Sequence, residues 1–207
     1  MKKEIIILTC SAKHGGYCVA GIDIDSYEWI RLVSSDNLNN NEIPKEFMYY
    51  YNSTSCKPLD VVSVEIIKKL PGDIQPENVL VDLGITPVYK YKLAPHELVK
   101  YISNDREIYK STFPYMDKNT ALNCGFSLAL YQVKDIFLDV FEYNGRTKVR
   151  LNFTYNRCMY SGWSMTDPYY YGRRSGKICD NGLIVVSIPE DDYNGNYYKF
   201  VAKIIEL

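Results

Sequence analysis

Residues 146–155 read Arg-Thr-Lys-Val-Arg-Leu-Asn-Phe-Thr-Tyr, so that Val149, Leu151, Phe153 and Tyr155 alternate with Lys148, Arg150, Asn152 and Thr154. A period of two is that of a β-strand with one face on a core and the other in water. A chain with this pattern is committed there to a sheet. Short β-branched or aromatic runs recur at 4–8, 17–24, 27–33, 59–67, 127–133, 136–143, 183–188 and 197–206. Turn residues separate them, among them Lys13-His14-Gly15-Gly16 and Asp23-Ile24-Asp25-Ser26. The expectation is an all-β fold, and two small β-barrels in tandem fit the spacing better than one sandwich. The best helical segment is 94–103, with Pro95 near its first turn and Leu98, Val99 and Ile102 on one stripe. Residues 34–41 and 71–78 read as loops. Periodicity fades between 104 and 125, where Pro114, Asn119, Asn123 and Gly125 accumulate. The boundary is therefore expected there, with a first barrel and its short helix in 1–115 and a second barrel in 116–207. No internal repeat is visible in the sequence.

A net charge of −1 argues against a protein that coats duplex DNA, because such affinity rests on neutralising many phosphates. Any nucleic-acid role must come from a local patch. Residues 144–177 supply one: Arg146, Lys148, Arg150, Arg157, Arg173, Arg174 and Lys177 stand against a single acid, Asp167. Interleaved are Tyr155, Tyr160, Trp163, Tyr169, Tyr170 and Tyr171. Cations that pair with phosphates beside rings that stack on bases form the usual surface for a single strand or a nucleotide. The alternative is a solvated strand face followed by a tyrosine-rich loop.

Of the six cysteines none lies in a Cys-x-x-Cys pair, and His14 and His96 are the two histidines, so no structural zinc site is expected. The apolar run 5–8 is too short for a secretory leader, and no run approaches membrane-spanning length. A cytoplasmic protein with free thiols follows. No Walker lysine loop, dinucleotide glycine pattern or His-Glu metal motif is present, and no cofactor is expected. Asp23 with Asp25, and Asp191 with Asp192, fall in turns where acids commonly serve the backbone.

The run Ser11-Ala12-Lys13-His14-Gly15-Gly16-Tyr17-Cys18, followed by Glu28-Trp29-Ile30-Arg31-Leu32-Val33-Ser34, resembles the dual OB-containing domain family of bacteria and their mobile elements. The likeness continues through Pro58-Leu59-Asp60-Val61-Val62, Gln75-Pro76-Glu77-Asn78 and Tyr197-Tyr198-Lys199-Phe200-Val201-Ala202-Lys203-Ile204. The resemblance implies two OB folds and a nucleic-acid or nucleotide-binding role, with a place in bacterial conflict systems. Fold alone does not fix function.

OB barrels commonly bind oligonucleotides across their second and third strands. In 27–34 the period of two sets Tyr27, Trp29, Arg31 and Val33 on one face, with Ile30 and Leu32 toward the core. Trp29 can then stack on a base while Arg31 pairs with a phosphate; alternatively Trp29 packs on protein and an acid caps Arg31. Residues 9–16 read as a loop in which Lys13, His14 and backbone N–H groups near Gly15 and Gly16 can cradle a phosphate, although paired glycines also suit a tight hairpin. The same loop offers Cys10, Ser11, Lys13 and His14 as a nucleophile and base, without a spacing specific to any chemistry. Trp163, beside Gly162, is either an exposed stacking platform or a plug in the barrel. The leading expectation is a binder of single-stranded DNA or RNA that uses these aromatics and cations. A small-nucleotide sensor or sponge and a nucleotide-processing enzyme built on the Cys10–His14 loop are the alternatives.

Overall fold

The computed structural model describes residues 1–13, 15–35 and 41–207, with residues 12 and 13 described by backbone alone. His14 and most of the expected 34–41 loop lie outside the described residues. The chain divides into two compact units, Met1–Glu97 and Leu98–Leu207.

The first unit holds β1 (Lys2–Lys13), β2 (Gly16–Asp23), β3 (Trp29–Val33), β4 (Asp60–Lys69), β5 (Asn78–Val81) and β6 (Val88–Lys92). Strands run in the order β1-β2-β3-β5-β4, and β4 returns to pair with β1, which closes a five-stranded barrel. The β3–β5 contact is parallel and β6 continues along β4. Ile5, Ile7, Val19, Leu32, Val62, Val64 and Val79 are among the residues that fill the interior. Residues 9–13 are not a loop but the end of β1. Lys13 pairs with Gly16, the first residue of β2. Gly16 is required by a close approach, because a Cβ there would stand 2.4 Å from the carbonyl oxygen of Ile43.

The second unit holds β7 (Tyr115–Asp117), α1 (Lys118–Leu122), β8 (Leu128–Tyr143), β9 (Arg146–Tyr155), β10 (Cys158–Ser164), β11 (Gly176–Ser187), β12 (Asn196–Tyr198) and β13 (Phe200–Glu206). The sheet order is β10-β9-β8-β11-β13, and a parallel bridge from Met165 to Val201 joins the two ends. With only the barrel strands counted within each unit, both read 3-2-1-4-5 with a parallel closure of 3 on 5. The protein is all-β, two tandem OB-like barrels. The repeat that is invisible in the sequence is thus present in the topology, since a barrel constrains the in/out pattern and not residue identity.

Several expected elements change. The segments 127–133 and 136–143 are one strand, β8, with a bulge at Asp135 (φ 50°). Residues 158–164, which the alternative reading placed in a tyrosine-rich loop, are β10. Segment 94–103 forms 3-10 turns over Pro95–Tyr101 instead of an α-helix, and of its stripe Leu98 is buried while Val99 is 67% exposed. With three residues per turn, the α-helical spacing no longer lines up the stripe. The one α-helix among the described residues, α1, lies in the second unit, capped by Asp117, whose carboxylate accepts from Thr120 N at 2.8 Å.

The unit division falls earlier in the chain than residue 115 because the segment after 97 is tied to the second barrel. Ser103 N donates to Leu130 O at 2.7 Å, and Tyr160 Oη accepts from Ile108 N at 3.3 Å. Lys199, fully buried at the break between β12 and β13, donates to Ile108 O (2.8 Å), Ser111 O (2.9 Å) and Ser111 Oγ (3.0 Å). Burial pushes its amine down to about 8. No helix among the described residues is long and apolar enough to cross a membrane, and all six cysteines are free thiols.

Candidate nucleic-acid interface

The β8–β9 hairpin turns on Asn144 (φ 51°) and Gly145 (φ 68°), a two-residue turn with both central residues left-handed, which is the type I′ geometry that Asn-Gly favours. Such a turn fixes register. Tyr143 faces Arg146, Phe141 faces Lys148, Asp139 faces Arg150 and Phe137 faces Asn152. Leu138, Val149, Leu151 and Phe153, on the alternate positions, are buried in the barrel. The first set therefore forms the outer face, with an aromatic row on β8 against a basic row on β9. Phe137, Phe141 and Tyr143 are 42%, 39% and 61% exposed. Arg146 and Lys148 are exposed. Arg150 is half-buried and donates from Nη1 to Gly162 O at 3.2 Å and to Ser164 Oγ, so its guanidinium is oriented by β10. Lys177 lies 5.7 Å from the Phe137 ring centroid. Its own charge is engaged, since a hydrogen bond to Asp180 raises its pKa above the ordinary lysine value.

The same face continues past the bulge. Lys134 pairs with Thr154, and β9 then turns into β10 through Asn156 (φ 47°) and Arg157 (φ 66°). Beside this second type I′ turn lies a groove of about 880 Å³ lined by residues of 102–104, 132–134 and 154–157.

Of the expected binding residues, Arg146, Lys148 and Arg150 share one face and Arg157 stands at its far end. Arg174 is exposed next to Ser175, whose Oγ accepts from Val140 N at 2.8 Å on β8. Arg173 is elsewhere: it lies 4.3 Å over Tyr169, a ring also approached by Lys203 of β13. Trp163, expected among the binding residues as a platform or else in the barrel as a plug, is the plug. It is 0% exposed, edge-on to Phe153 (5.5 Å) and Tyr160 (5.6 Å), because β10 turns it into the barrel. Arg31 keeps the face opposite the core residues Ile30 and Leu32 but does not meet solvent there: it is buried, and its Nη1 donates to Cys18 Sγ at 2.9 Å. Trp29, half-buried at the head of β3, thus has no solvent-facing Arg31 beside it. Cys10 and Ser11 are successive residues of β1, paired with Val19 and Cys18, so they point to opposite faces and form no nucleophile cluster. His14 and the side chain of Lys13 lie outside the described residues.

Sequence reasoning missed Phe137, Phe141 and Tyr143. The signal was present, because these three and Asp139 recur at a period of two in 137–143. Large aromatics in a strand are ordinarily assigned to a core, and only the pairing with β9 shows that this set faces outward.

The family model for the dual OB-containing domain matches residues 3–204. No curated protein and no solved structure matches the chain. With two barrels of one topology and a family match over nearly its full length, the chain belongs to the dual OB-containing domain family.

Proposed function

We propose that the protein binds single-stranded nucleic acid across the outer face of β8 and β9. The observation that carries this reading is the register: exposed Phe141 and Tyr143 lie directly opposite Lys148 and Arg146. Aromatic faces take successive bases and cations take the backbone beside them, an affinity that tolerates sequence because every base has a π-face. A duplex keeps its bases stacked on one another and leaves the rings unused. The family's barrels support the coarser reading, a nucleic-acid or nucleotide-binding role. Four register rows two residues apart span roughly 20 Å, which fits the short end of the OB site sizes, about four nucleotides.

The test is fluorescence anisotropy with labelled single-stranded DNA, single-stranded RNA and duplex. The expected result is single-strand binding that Phe141→Ala and Tyr143→Ala each weaken by roughly 1–3 kcal/mol and that the double variant Arg146→Glu/Lys148→Glu abolishes at moderate salt. Trp29→Ala leaves it unchanged. Equal binding of duplex and single strand, or indifference to the aromatic variants, rejects the proposal.

A further inference from the structure

We propose that the groove beside the β9–β10 turn holds a terminal nucleotide bearing a phosphate monoester, with Lys134 and Arg157 on the phosphate. The inference rests on the strand-binding reading of the β8–β9 face, with which the groove is continuous through the Lys134–Thr154 pair. At about 880 Å³ the groove is in the range of small-molecule sites.

Its wall is held in place by the barrel. Tyr131 Oη donates to Asp105 Oδ2 at 2.8 Å, and Tyr155 Oη donates to the Asp105 carbonyl. Asn156 Nδ2 donates to the carbonyls of Asp105 (3.1 Å) and Arg106 (3.2 Å). Together with the Ser103–Leu130 bond these fix residues 103–106 against the turn. A ligand therefore meets a groove whose ordering cost is already met.

Charge selects the ligand. Two cations and no carboxylate line the groove. Neither Lys134 nor Arg157 is ion-paired among the described residues. A phosphate monoester carries close to two negative charges at neutral pH, whereas an internal diester carries one. Two unpaired cations in one groove match the monoester. Ile102 offers an apolar wall, and Gln132, Asn104 and Thr154 offer donors and acceptors for a base or sugar edge. Arg157 sits at φ 66° in a turn position that favours glycine.

The monoester can belong to the end of a strand or to a free mononucleotide, and the test separates them. Anisotropy is measured with one short oligonucleotide carrying a 5′-phosphate, a 3′-phosphate or hydroxyls at both ends, and with nucleoside monophosphate as competitor. The variants are Lys134→Gln and Arg157→Gly, the latter removing the cation while easing the turn. The expected result is a roughly tenfold preference for one phosphorylated end, falling to onefold in both variants. Equal binding of all three oligonucleotides overturns the groove assignment and leaves the β8–β9 face intact. If no oligonucleotide binds but the monophosphate does, with dependence on Lys134 and Arg157, the groove stands as a free-nucleotide site and the face reading fails. If neither ligand binds, both fail.

Discussion

Lys199 shows how much one residue can carry. Its amine is fully buried, its hydrogen-bond acceptors are neutral oxygens, and its ring neighbour is Trp163 at 5.3 Å. Burial lowers its pKa to about 8 from the ordinary 10.5. The unfolded chain then holds more protons than the folded one between about pH 8 and 10.5. Stability from this group rises with pH across that window and is lowest below it. Urea unfolding of wild type and Lys199→Met at pH 7 and pH 9.5 should show the wild type gaining on the variant as pH rises, by about 1–3 kcal/mol. A difference that does not change with pH would show that Lys199 does not titrate there. Trp163 and Arg31 make the complementary point. Both are residue types suited to nucleic acid, and both are spent inside the protein.

The hairpin is the element that builds the interface. The β8–β9 and β9–β10 turns are both type I′, but they are not equally comfortable: Asn144-Gly145 has the preferred residues, while Asn156-Arg157 holds a long side chain at positive φ. A non-glycine residue in the left-handed region costs about 1–2 kcal/mol, part of which glycine returns as entropy lost on folding. Arg157→Gly is therefore expected to stabilise the protein by about 0.5–1 kcal/mol, a rise in Tm of roughly 1–4 °C in thermal unfolding. A loss of stability would mean that the arginine side chain holds the turn. The strands themselves were legible where alternation was clean, as in β9. β10 was not, because Tyr160 and Trp163 sit in a segment rich in turn formers, and its pairing with β9 is a long-range event that local propensity does not report.

For the whole molecule, the near-neutral charge bounds the mode of binding. Three or four phosphate contacts on a single strand predict a slope of log K against log salt of about −2 to −3, measurable by anisotropy from 50 to 300 mM salt. A slope steeper than about −6 would require a larger basic surface than the β8–β9 face and its groove provide. The sequence alone determined that this chain is all-β, that its cysteines have no ligand spacing, and that its cations concentrate in 144–177. Those are properties of local order and composition. Only the tertiary structure decided which of the aromatic and cationic residues meet solvent. A period of two says which residues share a face of a strand, but what packs on that face depends on strands far away in the chain. Barrel closure put Trp163 inside, packing buried Arg31 on the face of β3 opposite the core, and the β8–β9 register set Phe141 and Tyr143 outside, against Lys148 and Arg146.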